Sequence, residues 1–207
     1  MPSENRRGGS SPDLTIGVLS LQGDVEEHID ALLAIKVDGR GVKTPEDLAD
    51  VDGLIIPGGE STTVGEMIGR FGLTKPLEKR VTAGMPVWGT CMGMIVLAKK
   101  VQGSIQPTLG LLSIEVKRNA FGRQVESAEV PLDITGVEGK PFPGVFIRAP
   151  WIENAWDDAR VLARLDGHGV MVRQKRILGT SFHPELTDDH RVHRYFAEMV
   201  AAAKRSA

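Results

Sequence analysis

Met85-Pro86-Val87-Trp88-Gly89-Thr90-Cys91-Met92-Gly93-Met94-Ile95-Val96-Leu97-Ala98-Lys99-Lys100 reads as a strand over 85–88, a turn of small residues around the only cysteine in the chain, and a helix over 92–100. Glycines on both sides of Cys91 allow the sharp strand-to-helix bend that presents a nucleophile. The mechanics are those of the Gly-x-Ser-x-Gly elbow, with sulfur in place of oxygen. The same strand–helix alternation extends upstream. Residues 15–21 (TIGVLSL) form a β-branched apolar run suited to a strand buried on both faces. Gln22-Gly23-Asp24 then turns into a helix over 25–35, with Asp24 as its N-cap. Residues 36–43 are polar and glycine-rich, so any second strand there is short and lies at an edge. Pro45 opens a brief helix, 51–56 supply the next buried strand, and Pro57-Gly58-Gly59-Glu60-Ser61 leads into a helix from about residue 62. Residues 73–83 are helical.

Beyond the cysteine helix the pattern changes. Short strands at 114–118, 124–130, 145–147, 161–165, 170–173 and 178–182 are separated by turns, and a helix over 189–203 closes the chain. These elements predict a single-domain α/β fold: a mostly parallel open sheet flanked by helices, with additional antiparallel strands. A length of 207 residues fits one domain over 14–207. Residues 1–13 are polar and rich in serine and glycine, and are expected to be a flexible tail. Arg6-Arg7 has no apolar segment after it, so it does not read as a twin-arginine signal. The formal net charge of −2 gives no electrostatic case for nucleic acid or for an anionic membrane. No apolar run approaches the roughly 18 residues that span a bilayer. One cysteine cannot form an internal disulfide, which suits a reducing, cytoplasmic setting. No residue pattern calls for a metal or a cofactor.

In open parallel sheets ligands collect at the carboxyl edge of the strands. Gly58-Gly59, Cys91 and His183 all follow predicted strands, so the fold should gather them there. A lone cysteine is usually just a small hydrophobe, and a strand end carrying His and Glu is common enough by itself. Their conjunction is what points to covalent acyl transfer. In Ser181-Phe182-His183-Pro184-Glu185 the histidine and glutamate are two apart, which in extended chain puts them on one side. Pro184 favours that extended backbone at His183. Glu185 would hold the imidazole while the imidazole draws the proton from Cys91, since only the thiolate attacks well. Gly58-Gly59 reads as a tight turn or as part of an oxyanion hole built from the backbone N–H groups of Gly59 and Met92. A phosphate cradle is the rival reading, but neither Gly-x-Gly-x-x-Gly nor a Gly-Lys-Ser/Thr ending is present.

Gly-Thr-Cys-Met-Gly with Phe-His-Pro-Glu resembles the class I (triad) glutamine amidotransferases. Further strings resemble the glutaminase subunits of pyridoxal 5′-phosphate synthases within that family: Leu21-Gln22-Gly23-Asp24 with Glu27-His28, Pro57-Gly58-Gly59-Glu60-Ser61-Thr62-Thr63, Arg118-Asn119-Ala120-Phe121-Gly122-Arg123-Gln124-Val125, and Val145-Phe146-Ile147-Arg148-Ala149-Pro150. The resemblance covers about residues 16–200. It implies a flavodoxin-like fold, hydrolysis of L-glutamine to glutamate and ammonia, and delivery of the ammonia to a (β/α)₈-barrel synthase subunit in a hetero-oligomeric complex. It also implies that Cys91, His183 and Glu185 form the triad, and that Gly59, Glu60, Ser61, Arg118, Ile147 and Arg148 contact glutamine. The arginines suit that role chemically, because an α-carboxylate calls for a planar cationic partner; a surface ion pair is the ordinary alternative for each. Met92 stands where alanine is common and Ala128 where phenylalanine is frequent. His28 receives no catalytic role, and His190 and His193 are expected to be solvated on the last helix. A different thiol hydrolase on the same scaffold, such as a γ-glutamyl hydrolase or a peptidase relative, would share Cys91 and His183. A non-catalytic binding module is the remaining alternative, and the intact Cys, His, Glu and Gly-Gly set argues against it.

Overall fold

Strands and helices alternate from the first described residue in a computed structural model that describes residues 14–118 and 127–206. The expected tail over 1–13 and most of the 118–125 string lie outside the described residues. The first half consists of β1 (Thr15–Leu19), α1 (Val25–Ala34), β2 (Asp38–Val42), α2 (Pro45–Ala49), β3 (Gly53–Ile56), α3 (Ser61–Arg70), α4 (Thr74–Thr82), β4 (Val87–Thr90) and α5 (Met92–Leu97). Then come β5 (Ala98–Val101), β6 (Leu112–Lys117), β7 (Ser127–Leu132), β8 (Phe142–Ile147), β9 (Trp151–Ala155), β10 (Arg160–Leu165), β11 (His168–Gln174), β12 (Ile177–Thr180) and α6 (Arg191–Arg205).

The main sheet has the order β2-β1-β3-β4-β12-β11-β9-β6-β5, with β10 paired to β11. Its half from β2 to β12 is parallel. Antiparallel pairing then carries the sheet through β11, β9 and β6, and β7 and β8 form a separate antiparallel ribbon. This is a single α/β domain on a mixed sheet flanked by helices, as the alternation predicts. Residues of β3 show why the parallel strands are continuous apolar runs: Leu54 and Ile56 join the core on one face and Ile55 the core on the other, so both faces are covered. Leu32 of α1 and Val192, Phe196 and Val200 of α6 pack on the Ile55 side. Val64 and Ile68 of α3, Leu77 of α4 and Ile95 of α5 pack on the other.

Several boundaries differ from the sequence reading. The short edge strand expected in 36–43 is present as β2, with all five residues paired to β1. The helix after Cys91 ends at Leu97 rather than continuing to 100. Ala98 adopts an extended backbone (φ −65°, ψ 146°), and residues 98–101 pair with β6 instead. Tertiary pairing overrides the local helical pattern there. Strand β4 begins two residues later than 85, at the register fixed by Leu54 opposite Val87 and Thr90 opposite Thr180. Strand β9 was not anticipated, because Trp-Ile-Glu-Asn-Ala carries little β-branched signal.

Candidate active site

The parallel register brings three chain crossings to one sheet edge. Ile56 lies opposite Gly89 and Thr180 opposite Thr90, so Pro57-Gly58-Gly59, Cys91 and Ser181-Phe182-His183 leave neighbouring strands side by side. Cys91 sits between β4 and α5 with φ 48° and ψ −109°, a left-handed backbone that a non-glycine residue adopts only under strain. Its N–H donates to the Thr180 carbonyl at 2.7 Å, which holds the bend against β12. Both flanking glycines are required by close approach. A Cβ on Gly89 would come within 2.4 Å of the Gly93 backbone, and one on Gly93 within 2.0 Å of the Ile56 carbonyl oxygen. The sulfur is nearly buried and faces the Ile147 carbonyl at 3.9 Å.

His183 Nδ1 donates to Glu185 Oε1 at 2.7 Å, and Asp24 Oδ2 approaches the same nitrogen at 3.3 Å. The imidazole and the Glu185 carboxylate are buried, whereas the Asp24 side chain is about a third exposed. Burial alone would lower the histidine's pKa, but the hydrogen bonds it donates to Asp24, Cys91 and Glu185 outweigh it and raise the group to about 12. Burial pushes the Glu185 carboxyl up. The hydrogen bond to His183 draws Asp24 below the usual carboxylate range. An imidazolium beside a thiol favours the nucleophilic thiolate, so the arrangement can support covalent attack by sulfur on a carbonyl. The His-Glu geometry differs in detail from the sequence expectation. His183 is near-extended (φ −105°, ψ 88°), but residues Pro184–Leu186 form a 3₁₀ turn. Pro184 opens that turn, and the turn swings Glu185 back to the imidazole.

Around the sulfur, the other residues singled out from sequence fall into two groups. Glu60 caps α3, accepting from Thr63 N at 2.9 Å, and its other oxygen accepts from Arg118 Nη2 at 3.2 Å. Arg118 also donates to Gln106 Oε1 at 2.9 Å, and Gln106 bonds the buried Ser61 hydroxyl. Glu60, Ser61 and Arg118 therefore form one polar cluster. Ile147, whose carbonyl faces the Cys91 sulfur, and Arg148 follow one another at the end of β8. Arg148 has φ 46° and is exposed, and among the described residues no side chain holds its guanidinium. Gly58 lies against His183, where a Cβ would come within 2.6 Å of Cε1. Met92 is the first residue of α5, so its N–H has no intrahelical acceptor.

Sequence reasoning missed several members of this edge. Asp24 was expected to cap α1, but its side chain makes no capping bond and turns to His183 instead. His28, given no catalytic role, is fully buried beneath the site, and His193, expected to be solvated, is fully buried on α6. Asp24 and His28 are four apart and share a face of α1, and Asp24 follows β1 at the carboxyl edge. Those two facts were the available signal. Gln106 had none, since it lies in irregular chain. Cavity size does not single out this edge. A cavity of about 730 Å³ opens at the other end of the strands, but Arg80 and Arg176 there are bound to backbone carbonyls and Lys204 to Asp52.

Residues 18–202 match the model of the SNO glutamine amidotransferase family. The chain belongs to this family. Members similar to it include the pyridoxal 5′-phosphate synthase subunit PdxT of Streptomyces coelicolor, 58% identical over 189 residues, covering 90% of this chain and 94% of that protein. The PdxT of Bacillus licheniformis is 52% identical over 194 residues, covering 94% and 98%. A crystal structure of a glutamine amidotransferase superimposes with a TM-score of 0.85 at 48% identity, covering 89% of this chain and 98% of that one. A chain of the PurLQS structure from Thermotoga maritima shares the fold at a TM-score of 0.64 and 18% identity, covering 94% of this chain and 99% of that one.

Proposed function

We propose that this protein hydrolyses L-glutamine to L-glutamate and ammonia through a Cys91 thioester, and passes the ammonia to a barrel synthase subunit that makes pyridoxal 5′-phosphate. Family membership and the PdxT names of relatives above 50% identity support the substrate and the pathway. The observation that carries the chemistry is the strained Cys91 elbow beside an imidazole held at 2.7 Å by a buried carboxylate. In this reading, Nδ1 of His183 is committed to two carboxylates, which leaves Nε2 to exchange a proton with the sulfur. Attack of the Cys91 thiolate on the γ-carbonyl gives a tetrahedral oxyanion, received by the N–H groups of Gly59 and Met92. The imidazolium protonates the departing ammonia. The neutral imidazole then takes a proton from water, the resulting hydroxide attacks the thioester, and glutamate leaves as the thiol is restored.

Arg148 is free to take the α-carboxylate, and Gly59, Glu60, Ser61, Arg118 and Ile147 line the rest of the glutamine site. Arg118, bound to Glu60 and Gln106, shapes that wall and presents its outer N–H groups to substrate. Among the described residues no helix is long and apolar enough to cross a membrane, which is compatible with work in the cytoplasm. Ammonia release from glutamine, measured with and without the barrel subunit, tests the proposal. Release that is strongest with the partner is expected. Hydrolysis of γ-glutamyl peptides in preference to glutamine would instead identify a γ-glutamyl hydrolase.

A further inference from the structure

Beneath the candidate triad lies a chain of buried polar groups that the reaction above does not use. Glu185 Oε1 is taken by His183, whereas Oε2 is buried with no hydrogen bond of good geometry among the described residues. It faces His28 Nε2 at 3.4 Å, and both side chains are fully buried. The same His28 nitrogen lies 3.2 Å from Thr90 Oγ1, while His28 Nδ1 lies 3.0 Å from His193 Nε2. Thr90 is the last residue of β4, directly before Cys91.

We infer that His28 is a positioning residue for this reaction: its Nε2–H, bonded to Thr90 Oγ1, lies 3.4 Å from the free oxygen of Glu185, and the positive end of that buried N–H holds the carboxylate in the orientation that serves His183. The proton positions follow by elimination. Burial drives His28 well below its ordinary range and His193 to about 3, so both rings are neutral and each carries one N–H. An ionised carboxylate can only accept. If His28 carried its proton on Nδ1, a bare Nε2 lone pair would face the Glu185 oxygen. That proton would also occupy His193 Nε2, forcing the His193 proton onto Nδ1, a buried atom with no acceptor. A buried N–H without a partner is the costlier defect. With the proton on His28 Nε2, Nδ1 accepts from His193 Nε2–H, and the unpartnered His193 Nδ1 is merely a lone pair. Every contact in the chain is then compatible.

Removing the His28 donor leaves Oε2 without support, so Glu185 can rotate away or take up a proton; either weakens its hold on the imidazolium. With the barrel subunit present, His28→Phe should lower kcat about tenfold to a hundredfold, the range for a hydrogen bond to a charged group, with KM changed only a few-fold. His28→Gln, which puts an amide N–H at a similar reach, should recover most of the loss. In a Glu185→Gln background, His28→Phe should cost almost nothing more, since the two act as a unit.

This inference rests on the reaction assigned above, and the two fail differently. Wild type with no glutamine turnover defeats the reaction. An active wild type with an unaffected or fully additive His28→Phe, or an unrescued His28→Gln, defeats the role of His28. Should His28→Phe not fold, nitrogen-15 spectra of the histidine rings in the wild-type complex decide the point. A neutral Nε2–H tautomer for His28 supports the inference, and an Nδ1–H tautomer or an imidazolium overturns it.

Discussion

Adding one methyl group at Gly58 should disable the enzyme while leaving it folded. A Cβ built on Gly58 would lie 2.6 Å from His183 Cε1, 3.3 Å from Nδ1 and 3.4 Å from Asp24 Oδ2. Ordinary contact begins near 3.4 Å, so the imidazole must retreat by about 0.8 Å. It cannot do so freely, because Glu185 holds Nδ1 at 2.7 Å and the ring is buried. A displacement of about 1 Å at a reacting group can cost about 100-fold in rate. Gly58→Ala should therefore reduce kcat by ten- to a hundredfold, on the order set by that displacement, with a smaller change in KM. Gly69→Ala is the control: a Cβ there meets nothing within 4 Å, and alanine favours the helix by up to about 1 kcal/mol. Ammonia release from glutamine, alongside thermal unfolding of each variant, measures both effects. A folded Gly58→Ala whose kcat lies within threefold of wild type would refute the claim that the imidazole has no room to move.

Asp24→Asn removes one of the groups that raise His183 to about 12. The imidazolium then loses its proton at lower pH, so the alkaline limb of the kcat/KM profile should move toward neutrality; an unmoved limb would return Asp24 to a helix-end role. The histidine's contribution to stability is fully present below its ordinary value of 6.5 and fades as pH rises toward 12. The stability difference between wild type and Asp24→Asn should therefore be largest near neutrality and smaller at strongly alkaline pH, as chemical denaturation at several pH values would show. Glu185→Gln keeps a hydrogen bond but loses the charge that stabilises the imidazolium, so kcat should collapse with KM little altered; unchanged turnover would make Glu185 structural. Arg148→Ala should lower kcat/KM about tenfold to a hundredfold by loss of a charge-assisted bond, and Arg148→Lys should recover little because an ammonium cannot grip a carboxylate with two prongs. Equal glutamine dissociation constants for Cys91→Ser with and without Arg148 would place that residue outside the substrate site.

Much of this architecture was legible in the sequence because the decisive features are local. The apolar runs of β1, β3 and β4 need burial on both faces, and the glycines around Cys91 fit only a tight elbow. Their meeting at one edge follows from the parallel sheet. The features that escaped the sequence depend on distant partners. Asp24 has the composition of an N-cap, and only the position of His183 redirects it. His28 and His193 lie 165 residues apart, so neither carries a local sign of the other. Helix α5 stops at Leu97 because β6 is available to pair with residues 98–101, a fact absent from the helical pattern itself. Gln106 joins Ser61 to Arg118 only through the fold.

Everything proposed for this site depends on the sulfur of Cys91 opening glutamine. Incubation of the protein with a glutamine-mimicking electrophile, followed by peptide mass spectrometry, decides the point. One adduct is expected, on the peptide containing Cys91, formed in step with the loss of ammonia release and absent when glutamine is in excess or Cys91 is replaced by alanine. An inactivated enzyme whose Cys91 peptide carries no added mass would contradict it.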